Sequence, residues 1–299
     1  MRCRVAVLIL AEALCAISLG AQMASSPMTM PHSPTVPAST AYSDSLTEFA
    51  AQARPGVEIF RDRSAAIAAG YRRVGVDFPS MGEHWLNRSL LLQDRFEIAK
   101  PALLSYAMIE GRPVLTGVVY ALLLQPGELP PPVPGGRGGW HDHSGTLDDE
   151  SALPIHHGGM SDTSATRLLV LHAWVGIPNP AGLFEAENWA LPYVRAGVPI
   201  PNPLSIDAAR ALSLLSGAKE YYVALAEAEG ATRIGVTPAL DSCASVAAPI
   251  AKRIRAKGST APADVAALED AWASAMQRIA RELGTSVAAR LNGGEALLH

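Results

Sequence analysis

Cysteine is nearly absent: the chain of 299 residues holds Cys3, Cys15 and Cys243. The first two fall in an N-terminal segment with the pattern of a leader, so Cys243 would stand alone, which excludes an internal disulfide framework. Charge is also scarce, at 17% of residues with a formal net of −4. So weak a charge balance excludes electrostatic capture of nucleic acid or anionic lipid. No Walker A loop, Gly-x-Ser-x-Gly elbow, His-Glu-x-x-His or Cys-x-x-Cys occurs, so nucleotide, serine-hydrolase and dithiol readings have no starting residue. After the N-terminal segment no run of about 18 apolar residues is apparent, and no later membrane span is expected.

Apolar residues are 49% of the chain, enough for a real core in one large domain or two ordinary ones. With 25 glycines and 23 prolines, loops are generous. Residues 1–24 read as a secretory signal peptide: Arg2 and Arg4 open it, Val5 to Leu19 is mostly apolar, and Ser18, Gly20, Ala21 and Ala24 are small. The lack of disulfides in an exported chain favours a bacterial periplasm, and the expected location is periplasmic or secreted. Residues 25–42 are rich in Ser, Pro, Thr and Met and read as a disordered tether. Met28, Met30 and His32 within it are soft ligands suited to copper, but so short a motif has low specificity and an unstructured tail is the better reading. Cys243 reads as a small, partly buried residue before a helix rather than a nucleophile.

The mature chain divides into a β-rich α+β region at 43–200 and a helical region at 201–299. From Ser43 to Tyr71 two short helices are expected, interrupted at Pro55 and stopped at Gly70. Pro101 to Ile109 and Pro113 to Leu124 read as a hairpin turning at Glu110-Gly111-Arg112. Arg167 to Ile177 is a third strand, apolar on both faces and therefore central in its sheet. The last third is helical: Ser205 caps a helix running to Gly230, a shorter helix spans about Ala244 to Arg255, and a final one starts at Thr260 and Pro262. Its stripe of Val265, Leu268, Trp272, Met276, Ile279, Leu283, Val287 and Leu291 reads as core packing. The fold class expected is α+β, an antiparallel sheet with N-terminal helices and a C-terminal helical bundle.

Between the second and third strands, Gln125 to Thr166 is Pro- and Gly-rich, and a loop of that length in a compact domain is functional or disordered. It carries His141, His143, His156 and His157, half of the chain's eight histidines. Gly135-Gly136-Arg137-Gly138-Gly139 reads as a flexible loop, because no helix follows to hold phosphate. His141-Asp142-His143 is the sharpest local feature, since His-x-His on extended backbone turns both imidazoles to one side. A His-x-His-x-Asp-His metallo-hydrolase needs aspartate at 145, where this chain has Gly145. The stretch has a fold-level likeness to a cupin, with Gly135 before His141, Asp148 in place of that family's glutamate, Pro180-Ala181-Gly182 as a second-motif fragment, and Glu185 at its histidine position.

Two further motifs are Met81-Gly82-Glu83-His84-Trp85, after a helix ending in Gly70-Tyr71, and Leu171-His172-Ala173-Trp174 followed by Asn179-Pro180-Ala181-Gly182-Leu183-Phe184. The chain resembles, over about residues 60 to 190, an uncharacterised family of secreted bacterial proteins that carries Met-Gly-x-His-aromatic and Leu-His-x-Trp … Asn-Pro-x-Gly-x-Phe. It departs at Glu83, where an aromatic residue is usual, and at Asn188-Trp189, where Asn-Pro is usual. The resemblance implies a shared architecture and no particular activity, and it directs attention to His84 and His172.

An imidazole on an apolar strand face needs a partner, which a hydrogen bond or a metal supplies. Taken together, His84 and His172 lead as metal ligands, His141 and His143 follow, and His156 and His157 come last. Glu83 or Asp142 are the oxygen ligands considered, and zinc, copper or iron the metals. No nucleotide cofactor is expected. Three functions remain open: an exported metal-binding protein, a metalloenzyme of oxygenase or hydrolase type with an open metal position, and a structural or partner-binding module whose C-terminal helices meet a protein partner.

Overall fold

The computed structural model describes residues 44–143 and 166–293; the leader, the tether with Met28, Met30 and His32, and the histidines at 156 and 157 lie outside them. Helix α1, Asp44–Val57, buries Phe49, Ala50, Ala53 and Val57 along one side. Pro55 does not interrupt it: the helix continues through Pro55 to Val57. A 3-10 turn, Glu58–Arg61, leads to α2, Arg63–Ala68, capped by Asp62, whose Oδ1 accepts from the Ser64 backbone N–H.

The next elements are strands the sequence reading did not include, β1 (Arg72–Phe78) and β2 (Gly82–Leu86). Gly75, at φ +67°, lies where the register of β1 slips between Val74 and Asp77, and this break hides the alternation of Val74, Val76 and Phe78. After the short helix α3 (Arg88–Leu91), β3 (Leu103–Ile109) and β4 (Arg112–Leu124) form the expected hairpin. Its two turn residues, Glu110 and Gly111, both take positive φ, the conformation that matches strand twist in a two-residue hairpin. β5 (Trp140–Asp142) and β6 (Arg167–Ala173) complete one antiparallel six-stranded sheet in the order β1-β2-β3-β4-β6-β5. β6 lies inside the sheet between β4 and β5, which explains its two apolar faces.

Register separates the two faces. Trp85, Leu104, Val118, Tyr120, Leu122, Leu169, Leu171 and Trp140 share a core with α1 or pack against it. The other face holds His84, Ser105, Gly117, Val119, Val170, His172 and His141, each paired in register with a neighbour. Among the described residues the β1 and β5 edges are not joined, so the sheet is open there, unlike the barrel of a cupin.

The helices that follow are α4 (Leu191–Arg195), α5 (Ile206–Ser213), α6 (Lys219–Ala228), α7 (Arg233–Lys257), α8 (Pro262–Leu283) and α9 (Thr285–Gly293). Ser205 caps α5 as expected, accepting from the Ala208 N–H, but the helix ends at Ser213 and restarts beyond Gly217, at φ +93°. α7 starts eleven residues before the expected Ala244, capped by Thr232. It runs through Pro238 and Pro249, both on the exposed side, where the carbonyls they leave unbonded meet water. Thr260 is not the cap of α8: its hydroxyl donates to the Pro199 carbonyl, and Ala261 holds the cap position ahead of Pro262. Gly284, at φ +111°, splits the expected last helix in two.

α7 is long and apolar enough to span a membrane by length and composition, unlike the expectation, yet Val236, Leu240, Cys243, Ala247, Ile250 and Ile254 belong to the bundle core. That core also contains Phe78, Met81 and Trp174 from the sheet side, so the helices pack on the sheet. Arg195 clamps the junction with a bidentate pair to Asp77, at 2.8 and 2.6 Å, and a further bond to the Ser216 carbonyl.

Candidate functional site

Four histidines fall within the described residues, His84, His141, His143 and His172, and all four meet on one face of the sheet. Strand β2 supplies His84, β6 supplies His172, and β5 supplies His141 with His143 just beyond it. The His84 and His172 rings are 5.6 Å apart, centroid to centroid, edge to face. His172 and His141 stack at 5.3 Å, and His141 and His143 lie 5.1 Å apart. His84, His143 and His172 are buried and His141 is half-buried.

Alternation along β5 delivers the His-x-His pair to one side. His141 is opposite Val170, while Trp140 and Asp142, opposite Leu171 and Leu169, turn to the other face. The His143 backbone N–H donates to the Leu168 carbonyl at 2.7 Å, which continues the strand geometry by one residue. The Nδ1 of His141 lies 3.3 Å from the Gly139 carbonyl oxygen. A carbonyl only accepts, so Nδ1 carries the proton of this contact, and in the neutral form of the ring Nε2 is the lone-pair nitrogen.

Aromatic walls hold the other two rings. Phe78 meets His84 edge-on at 5.3 Å, and Trp174 stacks on His172 at 6.2 Å. Trp174 is fixed in turn: its indole N–H donates to the Glu185 carbonyl at 2.6 Å and its backbone N–H to the Leu183 carbonyl. The Asn-Pro-x-Gly-x-Phe stretch works as the frame of this wall. Asn179 accepts from the Ala181 N–H and donates to the Glu187 carbonyl, while Asn188 reaches the carbonyls of Ile177 and Pro178. The Ser80 carbonyl accepts from the Asn188 N–H at 3.0 Å, and the Ser80 hydroxyl donates to Glu187 at 3.3 Å. The two sequence motifs therefore meet in space, through both their histidines and their flanks.

Glu83 is placed away from the histidines. It faces Tyr106 on the α1 side, where Arg63 and Arg73 each reach it at 3.2 Å and the Trp85 indole donates to it. Asp142, buried on the same α1 side, is likewise separated from the imidazoles by the sheet. Both oxygen-ligand expectations are corrected by strand alternation: a residue next to a histidine in sequence points the other way. Among the described residues no set of three or more His, Cys, Asp or Glu side chains is already gathered so as to hold a metal ion. Among the described residues the imidazoles touch in a row, His84 to His172 to His141 to His143.

Cys243 is far from this chemistry in the bundle core, where burial pushes its thiol up to about 12. A cavity of about 400 Å³ also lies elsewhere, between the 201–207 segment and the start of α8, where the Ser205 hydroxyl donates to Glu269 at 2.6 Å. Comparison with family models, curated proteins and solved structures gives no match.

Proposed function

We propose that the histidine cluster binds a transition metal, zinc, copper or iron, and that the protein is an exported metal-binding protein. One observation carries this reading: imidazoles 88 residues apart in the chain, at 84 and 172, converge with a His-x-His pair on one buried patch. Two imidazoles on one tetrahedral ion, with metal–nitrogen bonds of about 2.1 Å, put their ring centroids roughly 5 Å apart. The three contacts here, 5.6, 5.3 and 5.1 Å, fall in that range. The Gly139 carbonyl on His141 is the kind of outer partner that fixes a ligand's tautomer. Export rests on the leader-like Met1 to Ala24. The enzyme readings gain no support from Glu83 or Asp142, both of which face the other way.

The test is metal content, by plasma mass spectrometry, of the full chain purified from its native compartment and dialysed, with His84→Ala and His172→Ala beside it. Near-stoichiometric metal in the wild type, lost in both variants while their circular dichroism is unchanged, is the expected result. No metal in the wild type, with both variants folded, would leave the histidines as ordinary packing and sink the reading.

A further inference from the structure

Arg167 opens β6 opposite Leu124, which places its side chain on the α1 face, across the sheet from the histidines. It is 1% exposed, and its neighbours on that face, Leu122, Leu124 and Leu169, are apolar. Nη2 donates to the Glu128 carbonyl at 2.6 Å. Among the described residues Nε and Nη1, both buried, have no hydrogen-bond partner. A guanidinium keeps its charge and offers five N–H donors, so a single carbonyl neither neutralises nor satisfies it. A charge left in that state in an apolar setting opposes folding, and such groups persist where an anion compensates them.

We propose that Arg167 anchors a buried site for a small oxyanion, either a monocarboxylate or an inorganic oxyanion of phosphate or sulfate type. The connection from β4 to β5 forms its cover. Pro130 and Pro131 supply carbonyls but no N–H, and they are captured by side chains: Arg137 Nε donates to Pro130 at 2.7 Å and the Trp140 indole to Pro131 at 3.0 Å. With Arg167 on Glu128, two donors from the sheet, Trp140 and Arg167, hold this segment, and Arg137 braces it internally. Gly127, Gly135 and Gly136 take positive φ with open space around them, which gives the cover its joints. The nearest carboxylate in register on that face is Asp142, opposite Leu169, and neither Nε nor Nη1 of Arg167 is hydrogen-bonded to it. This site is independent of the histidine reading.

The experiment is thermal unfolding of the full chain at constant ionic strength, set with sodium chloride, while acetate, phosphate or sulfate is titrated in. A saturable rise in midpoint of several degrees is expected, abolished in Arg167→Met and retained in His172→Ala. A rise with acetate alone assigns a carboxylate, and a rise with phosphate or sulfate an inorganic oxyanion. No response in the wild type, the same response in Arg167→Met, or an Arg167→Met chain more stable at every anion concentration overturns the proposal. Should Arg167→Met not fold, the arginine Nε–H resonance of ¹⁵N-labelled wild type decides: it shifts on anion addition if the site exists and stays still if it does not.

Discussion

Replacing Arg195 by methionine removes a guanidinium that ties the sheet to the helical bundle. Its side chain is 0% exposed and Asp77 only 12%, with the two carboxylate oxygens taken at 2.8 and 2.6 Å. Methionine keeps much of the volume but strands Asp77 and the Ser216 carbonyl. Removing one partner of a buried pair costs about 3–5 kcal/mol, against about 0–1 kcal/mol for a surface pair. For a domain of this size each kcal/mol lowers the midpoint by about 2–4 °C, so a drop of roughly 6–20 °C is expected. Urea unfolding of Arg195→Met, Asp77→Asn and the double variant measures the coupling. The double variant should be less damaged than the two single losses summed, because no charge is left stranded. The Ser216 carbonyl stays orphaned in it, so recovery is partial. If Arg195→Met costs less than about 1 kcal/mol, the junction is behaving as a solvated surface and the packing argument fails. Two separate unfolding transitions in the wild type would refute it equally, by making sheet and bundle independent units.

Two glycines offer a contrast. At Gly82, with φ +79°, an added Cβ meets the Tyr106 carbonyl oxygen at 2.2 Å, whereas Gly111, at φ +74°, has nothing within 4 Å. Gly82→Ala should cost about 3 kcal/mol or more and Gly111→Ala only about 1–2 kcal/mol, read by chemical unfolding; equal costs would show that conformation alone matters. Cys243 should resist Ellman's reagent at pH 8 in the native protein and react fully in denaturant. Burial raises this thiol from 9.0 to about 12, so its contribution to stability is whole below pH 9 and is lost as pH rises through about 12. Rapid native labelling at pH 8 contradicts the buried placement. For the proposed metal site, protons compete for imidazole, so bound metal should be released as pH falls below about 6; retention at pH 4 by equilibrium dialysis argues against histidine ligation.

How far the site was legible in the sequence depends on which residue is asked. His-x-His at 141 and 143 declared itself, because alternation in extended backbone is a local property. That His84 and His172 join it depends on the register of β2 against β3 and of β4 against β6, and register is set by pairing between distant segments. Glu83 looked like a ligand because it adjoins His84. Strand β2 was not recognised there, and without the strand its opposite orientation was hidden. Arg167 gave no signal at all: it was the first residue of an apolar strand, and only burial against Leu124 and the Glu128 carbonyl makes its charge conspicuous.

Local chemistry by itself determined the fold class, the β3–β4 hairpin with its Glu110-Gly111 turn, the cap at Ser205 and the apolar stripe of the last helices. Each of these is decided within about a dozen neighbouring residues, by periodicity, caps and turn residues. Tertiary structure decided the rest. Whether a helix runs through Pro238 and Pro249 depends on which side of α7 faces water. Whether two strands flank a bulge at Gly75, and which face a histidine takes, depends on what pairs across the sheet. Those choices are made by burial and long-range hydrogen bonding, which outweigh local propensity and leave no mark in a sequence window.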